Sequence, residues 1–464
     1  MGLRLLRRLL VALMLAAPVL AAPVAADPMP FSVAAENAMT GTPNWRISES
    51  RFTKRTLAFT DAHSVEAGMQ LGLYVSCMAK TFTVDALRIG YYSGAGARRI
   101  WHADPTRCVR QPAAKVAKAT RTAVAPWSRN LDIDTTDWPE GMYVLKVVSN
   151  DHSATYVDLI IRSTDTADKT VFVSSTLTFQ AYNNWGGANT YRGRKGFSTR
   201  AYAVSYDRPQ VWGLGSGKFM SYEAPLLTRA EAVGIPLAYV ADTDIAADPT
   251  ILEGARSIVF GGHAEYWTQS MRDAVIAARE RGTNVLFFGA NTAYWRVRIS
   301  ASELGSNRTM TVYKSRTLDP SKRATIRFRD LGQPDSQLTV VTYNCFPARG
   351  SFTVTKPTSW VFAGTGADKG ESFKDIVATE IDTLQVKQAN TTVLADSPTT
   401  CGARSTRSTM VLRTEPSGGF TFASGSMGWV ATALRGDAPD RSVEFVQRVT
   451  DNLLLAGAYG IPTA

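Results

Sequence analysis

The chain has four histidines and four cysteines in 464 residues, and both scarcities narrow its chemistry. The cysteines (Cys77, Cys108, Cys345 and Cys401) are far apart in sequence, with no Cys-x-x-Cys pair, so nothing points to a structural zinc site. No Gly-x-Gly-x-x-Gly follows the first strand of the α/β region and no Walker A pattern occurs, which leaves nucleotide binding without support. No Gly-x-Ser-x-Gly is present, so a serine nucleophile elbow is not signalled. There is no low-complexity tract, charge block or internal repeat, and past the N-terminal leader no apolar run is long enough to span a bilayer.

What is present begins with residues 1–26. A basic start (Arg4, Arg7, Arg8), an apolar stretch broken by Pro18 and Pro23, and an Ala-x-Ala-like end read as a secretory signal peptide. The mature chain is then expected to be secreted, soluble and without a stable membrane anchor. The net charge of +11 falls to about +8 without the leader's three arginines. The remaining Lys and Arg are dispersed, which fits loose attraction to an acidic wall surface and argues against a nucleic-acid partner. In an exported protein four cysteines suggest two disulfides. Of three possible pairings, Cys77–Cys108 with Cys345–Cys401 keeps each bridge inside one expected domain.

Two regions follow. Residues 44–165 alternate apolar and polar residues in short runs such as "MQLGLYVSC" and "MYVLKVVS" and lack a helical period, predicting an antiparallel, immunoglobulin-like β-sandwich of about seven strands. Residues 168–460 alternate strands and helices. Strands are expected at 171–175, 235–242, 256–262 and 283–291, and helices at 218–234, 249–255 and 267–282. This pattern predicts an open parallel sheet, layered as in glutamine amidotransferases or flavodoxin, with a β-rich insertion at 300–425. A closing strand in "SMGWVATAL" and an amphipathic C-terminal helix complete the expected α/β fold.

In such sheets ligands bind at the carboxyl ends of the strands. There the sequence places Gln180, Tyr182, Asn183 and Asn184, then Asp242 and Asp244, then His263 and Glu265 in "GGHAEYW", then Asn291, Tyr294 and Trp295. Each has an ordinary alternative: an aromatic lid for Tyr182, a helix cap for Asp244, a turn for Asn291, a structural histidine for His263. Their coincidence along one edge favours a site. Ala264 occupies the position where a nucleophile elbow would carry serine. The remaining His, Glu and Tyr suit metal binding or acid–base work.

The pieces "TFQAYNNWGG", "GGHAEYWTQSMRDAV", "VLFFGANTAYWRVR", "ASGSMGW" and, upstream, "LRIGYYSGAGAR" resemble the large subunit of N,N-dimethylformamidase and its relatives, from about residue 45 to 460. The resemblance implies a hydrolase of a C–N amide bond with a mononuclear Fe(III) centre held by two tyrosinates and one carboxylate. It implies Glu265 as the carboxylate, Tyr182 as one tyrosine and Tyr143 as the other, with His263 and Asn291 as neighbouring catalytic groups. The alternative for Tyr143 is a core aromatic in a strand. Export departs from the intracellular role of the named enzyme, and no residue in 300–425 is matched to its remaining acidic group. The implied substrate is a small amide or a wall-derived molecule. Two other readings stay open: a non-catalytic wall- or glycan-binding protein using Trp185, Trp267 and Trp295 as platforms, and a glycoside hydrolase pairing Asp244 with Glu265.

Overall fold

The structure is a computed structural model that describes residues 31–462. The expected leader, residues 1–26, lies outside the described residues. From Thr56 to Ile161 the regular elements are strands, apart from one short 3₁₀ turn. A three-stranded sheet (Thr56–Thr60, Gln70–Cys77, Leu131–Asp134) faces a five-stranded one whose central strands are Thr81–Ile89 and Gly141–Ser149. Alternate residues are buried in the first half of Thr81–Ile89, the pattern of a strand with one face in a core, and from Ala86 on both faces are covered. Leu71, Leu73 and Val75 meet Val84, Leu145 and Leu159 in a single apolar cluster.

The remaining chain is mixed α/β, built around a nine-stranded sheet. Five strands run parallel in the order Leu237–Ala241, Thr170–Ser174, Ser257–Phe260, Asn284–Phe287 and Phe420–Ala423. Four antiparallel strands continue the sheet: Arg404–Thr414, Thr391–Cys401, Thr342–Thr353 and Ser372–Thr383. Most of the expected insertion is thus an extension of the same sheet. Thr268 caps helix Gln269–Glu280, its side chain accepting from the Met271 amide. The helix buries Met271, Ala274, Val275 and Ala278, a helical spacing, against the parallel strands.

Several expected elements differ from the structure. The helix expected at 249–255 is a short 3₁₀ helix, Pro249–Leu252. The helix expected at 218–234 is broken into Phe219–Tyr222 and Ala224–Val233, because Glu223 leaves helical geometry and Pro225 starts the second piece. That piece ends as expected at Gly234, whose φ of 76° suits glycine. The segment taken for a closing strand is a π-helix, Trp429–Leu434, and the closing strand is Phe420–Ala423 just before it. A short apolar run fits a buried strand and a buried helix equally well by periodicity.

Both disulfides, Cys77–Cys108 and Cys345–Cys401, pair as expected, and no cysteine is free. No helix among the described residues is long and apolar enough to cross a membrane. The paired sheets are locked to the α/β region by a buried ion pair. Arg88 donates to both carboxylate oxygens of Glu231, at 3.0 and 2.8 Å, and to the hydroxyls of Tyr92 and Tyr239.

Candidate active site

The loops after three parallel strands, with Tyr343, Phe346, Thr379 and Glu380 of the antiparallel extension, line a cavity of about 570 Å³. Strand Thr170–Ser174 leads into helix Thr176–Tyr182, which ends with Tyr182 over the cavity. Buried Arg208 caps that end, donating to the carbonyls of Gln180, Asn183 and Trp185. Asn189 ties two tyrosines together: its amide nitrogen donates to Tyr182 O (3.1 Å), and its oxygen accepts from Tyr191 N (2.9 Å). The two rings lie 5.2 Å apart.

"GGHAEYW" follows strand Ser257–Phe260. It does not lead straight into a helix, because Tyr266–Thr268 first pairs in parallel with the strand beginning at Trp295. Glu265 is fixed through its backbone. Its amide donates to Thr178 Oγ1 (3.0 Å), and its carbonyl accepts from the amides of Tyr294 and Trp295 (2.9 and 3.0 Å). Glycines are required here. A Cβ on Gly289 would stand 2.4 Å from Gly262 O, so only glycine lets the loops carrying His263 and Asn291 touch. Asn291 itself has φ of 57°, a left-handed conformation Asn tolerates. Its amide N–H donates to Asp382 (2.9 Å).

The turn is buried, not solvent-facing: His263 and Glu265 are 2% and 0% exposed. Tyr182 donates to one Glu265 oxygen (2.7 Å) and Tyr191 to the other. Trp295 Nε1 donates to Tyr191 (2.9 Å). His263 Nε2 is 3.4 Å from Glu265 and 4.0 Å from Glu380, and neither ring nitrogen has a hydrogen-bond partner. Asn291 Nδ2 donates to Glu380 (2.7 Å), while its Oδ1 is unpartnered. Burial alone would raise the Glu265 carboxyl, but His263, Lys314 and Tyr191 outweigh it and hold the group down at about 2. Glu380 goes the other way: burial and the charge on Glu265 push it up to about 8. The pair divides as two like charges sharing a site do. Burial first, then the Glu265 charge, raises Tyr182 and Tyr191, so both phenols act as donors. Burial keeps His263 below its ordinary value.

The structure therefore brings together Tyr182, His263, Glu265 and Asn291 from the sequence, and does not bring Tyr143 to them. Tyr143 lies in the core of the paired sheets, stacked on Trp138 at 5.4 Å, and its hydroxyl donates to Pro139 O (2.6 Å). The second phenol at Glu265 is Tyr191. Asp244 does not line the cavity; it accepts from Ala241 N and Ser64 Oγ (2.8 and 2.6 Å), so no carboxylate pair forms with Glu265. Trp267 is fully buried, with Nε1 donating to Ala264 O, and Trp185 and Trp295 are half-buried. These three form no exposed platform.

Sequence reasoning missed Tyr191, Lys218, Tyr222, Tyr343 and Glu380, all lining the cavity. Tyr191 had a signal, nine residues after Tyr182 in the same polar loop; Glu380, in mid-strand, had none. Among the described residues no group of three His, Cys, Asp or Glu side chains is placed to hold a metal. The oxygen donors that converge are two phenols and one carboxylate, a hard set suited to a hard cation. The family model described as N,N-dimethylformamidase beta subunit-like, C-terminal, matches residues 83–440. A search of curated proteins finds no significant match.

Proposed function

Since the chain belongs to the N,N-dimethylformamidase beta subunit-like family, we propose that it hydrolyses a C–N amide bond in the cavity around Glu265, with iron bound there. The convergence of Tyr182 and Tyr191 on the two oxygens of Glu265 carries this reading. The unpartnered His263 nitrogens and Asn291 Oδ1 are further polar groups left free in a buried site. Tyr182, Tyr191 and Glu265 would hold a ferric ion, which would supply Lewis acidity towards an amide carbonyl and a water. Holding it requires both phenols to lose their protons.

The protein's own groups do the proton work. Glu380, with a proton affinity near neutrality, takes a proton from the attacking water. The water oxygen adds to the carbonyl carbon, the C–N bond breaks, and Glu380 returns the proton to the departing amine. Asn291 positions Glu380 by donating to it. Neutral His263, between the two carboxylates, passes protons across the cavity.

We read the parallel strands as a flavodoxin-like sheet at 168–460, since their order is second, first, third, fourth, fifth. We read the paired sheets at 44–165 as an immunoglobulin-like sandwich. Export through residues 1–26 agrees with two disulfides. The test is amine release from a panel of formamides and acetamides by iron-supplemented protein. Turnover should fall about 10²–10⁴-fold in Glu380→Gln. No amine release from any of the panel would end this reading.

A further inference from the structure

Among the described residues Lys218 is the only lysine or arginine lining the cavity, and no element of the proton chemistry uses it. Its side chain leaves the turn just before helix Phe219–Tyr222 and lies between two aromatic faces. Nζ is 4.6 Å from the Tyr182 ring centroid and 4.7 Å from that of Tyr222. The rings hold a cation by their faces. They leave its three N–H donors unmatched. No described side chain accepts a hydrogen bond from Lys218 Nζ, and no described carboxylate lies within ion-pair distance. The other ammonium near Glu265 is engaged. Lys314 Nζ donates to Tyr266 (2.7 Å) and sits 3.1 Å from the Tyr191 ring centroid, and it does not line the cavity.

A cavity of about 570 Å³ is far larger than a simple dialkylformamide needs. Its walls are otherwise mostly aromatic, with Tyr222, Tyr294, Tyr343 and Phe346, and carry two carboxylates, Glu265 and Glu380, beside the uncharged Asn291, Thr379 and Met427. An unpaired ammonium on one wall, with room beyond the reacting centre, selects a substrate that brings its own negative charge. We propose that Lys218 determines specificity by binding a carboxylate on the substrate, so that the amides hydrolysed here are N-acyl amino acids or similar carboxylate-bearing amides. The proposal rests on the amidase reading for its reaction, but the recognition stands on Lys218 alone.

The test uses a matched pair of ligands of almost equal size, N-acetylglycine and the neutral N-acetylglycinamide. Binding is measured by calorimetry on the full mature chain, and amine release is measured separately. N-acetylglycine should bind about 10- to 100-fold more tightly, the ratio one charge-assisted hydrogen bond sustains. Lys218→Met, which keeps the packing between the rings, should abolish the preference. Lys218→Arg should keep part of it and serves as the folding control. If N-acetylglycine is turned over, the loss in Lys218→Met should fall on KM and leave kcat nearly unchanged, which a structural role would not do. Equal binding of the two ligands, or a preference that survives Lys218→Met, overturns the proposal. A Lys218-dependent preference without hydrolysis of either ligand supports the recognition and refutes the amidase reading.

Discussion

Glu265→Gln is the substitution whose sign separates two accounts of the site. Glutamine matches glutamate in volume, so the change is electrostatic and opens no cavity. If Glu265 were only a buried charge under strain, removing it would stabilise the protein. The structure predicts the opposite. His263, Lys314 and the Tyr191 hydroxyl favour the carboxylate over its burial, drawing it from 4.5 to about 2. At about 1.4 kcal/mol per tenfold change in proton affinity, that is about 3 kcal/mol of stability. A depressed carboxylate contributes fully above its ordinary value and loses its contribution as pH falls towards 2; at pH 7 His263 is neutral, so Lys314 and Tyr191 carry the contribution there and about 3 kcal/mol is its upper bound. Chelator-treated Glu265→Gln should then melt lower by up to about 3 °C, using the usual unfolding entropy per residue. Glu380→Gln is the internal control. With Glu380 raised to about 8, the folded state holds the extra proton, and its contribution to stability falls as pH rises from about 4.5 to 8. Glu380→Gln should therefore match the parent near pH 4 and melt above it at pH 9. Scanning calorimetry at the three pH values decides the matter. A Glu265→Gln variant as stable as the parent at pH 7, or more so, would refute the reasoning.

Three further outcomes follow. Tyr191→Phe and Tyr182→Phe should each lower iron content, whereas Tyr143→Phe should leave it unchanged and cost about 1 kcal/mol of stability through the lost Pro139 bond, read by metal analysis and thermal melting. Gly289→Ala should reduce amine release with the fold retained, because the new methyl must push the Gly262 backbone away and part the His263 and Asn291 loops; unchanged turnover would contradict the close contact. Arg88→Met, far from the cavity, should cost about 3–5 kcal/mol in denaturant unfolding by leaving Glu231 a buried, unpaired charge.

The parts of the site legible in the sequence were those attached to periodic elements. The apolar strands ending at Ser174, Phe260 and Phe287 could be read locally, so the polar residues after them, Tyr182, Glu265 and Asn291, fell to one edge by the rule for parallel sheets. Glu380 was not legible because an antiparallel strand reaches the same cavity only through long-range pairing, which leaves no local mark. Tyr143 shows the converse error: it sits in an alternating strand, its inward position follows from that alternation, and a resemblance read along the sequence gave no warning of the distance in space. Gly234 was readable as the end of a helix, whereas the cap at Thr268 was not, because the helix was expected to begin at residue 267. The kink at Glu223, which brings Lys218 and Tyr222 over the cavity, depends on Pro225 and on packing beneath Gly261, where a Cβ would meet the Tyr222 carbonyl at 2.8 Å.

The central claim, that Tyr182, Tyr191 and Glu265 bind iron, is tested most directly by iron titration of the purified chain under visible spectroscopy, with the protons released counted by calorimetry in buffers of different ionisation enthalpy. The account predicts about one iron per chain, a tyrosinate-to-iron absorption band that weakens in Tyr191→Phe, and about two protons released per iron at neutral pH, one from each phenol. A chain that takes up no iron and stays colourless, or a band unchanged in both Tyr182→Phe and Tyr191→Phe, would contradict it.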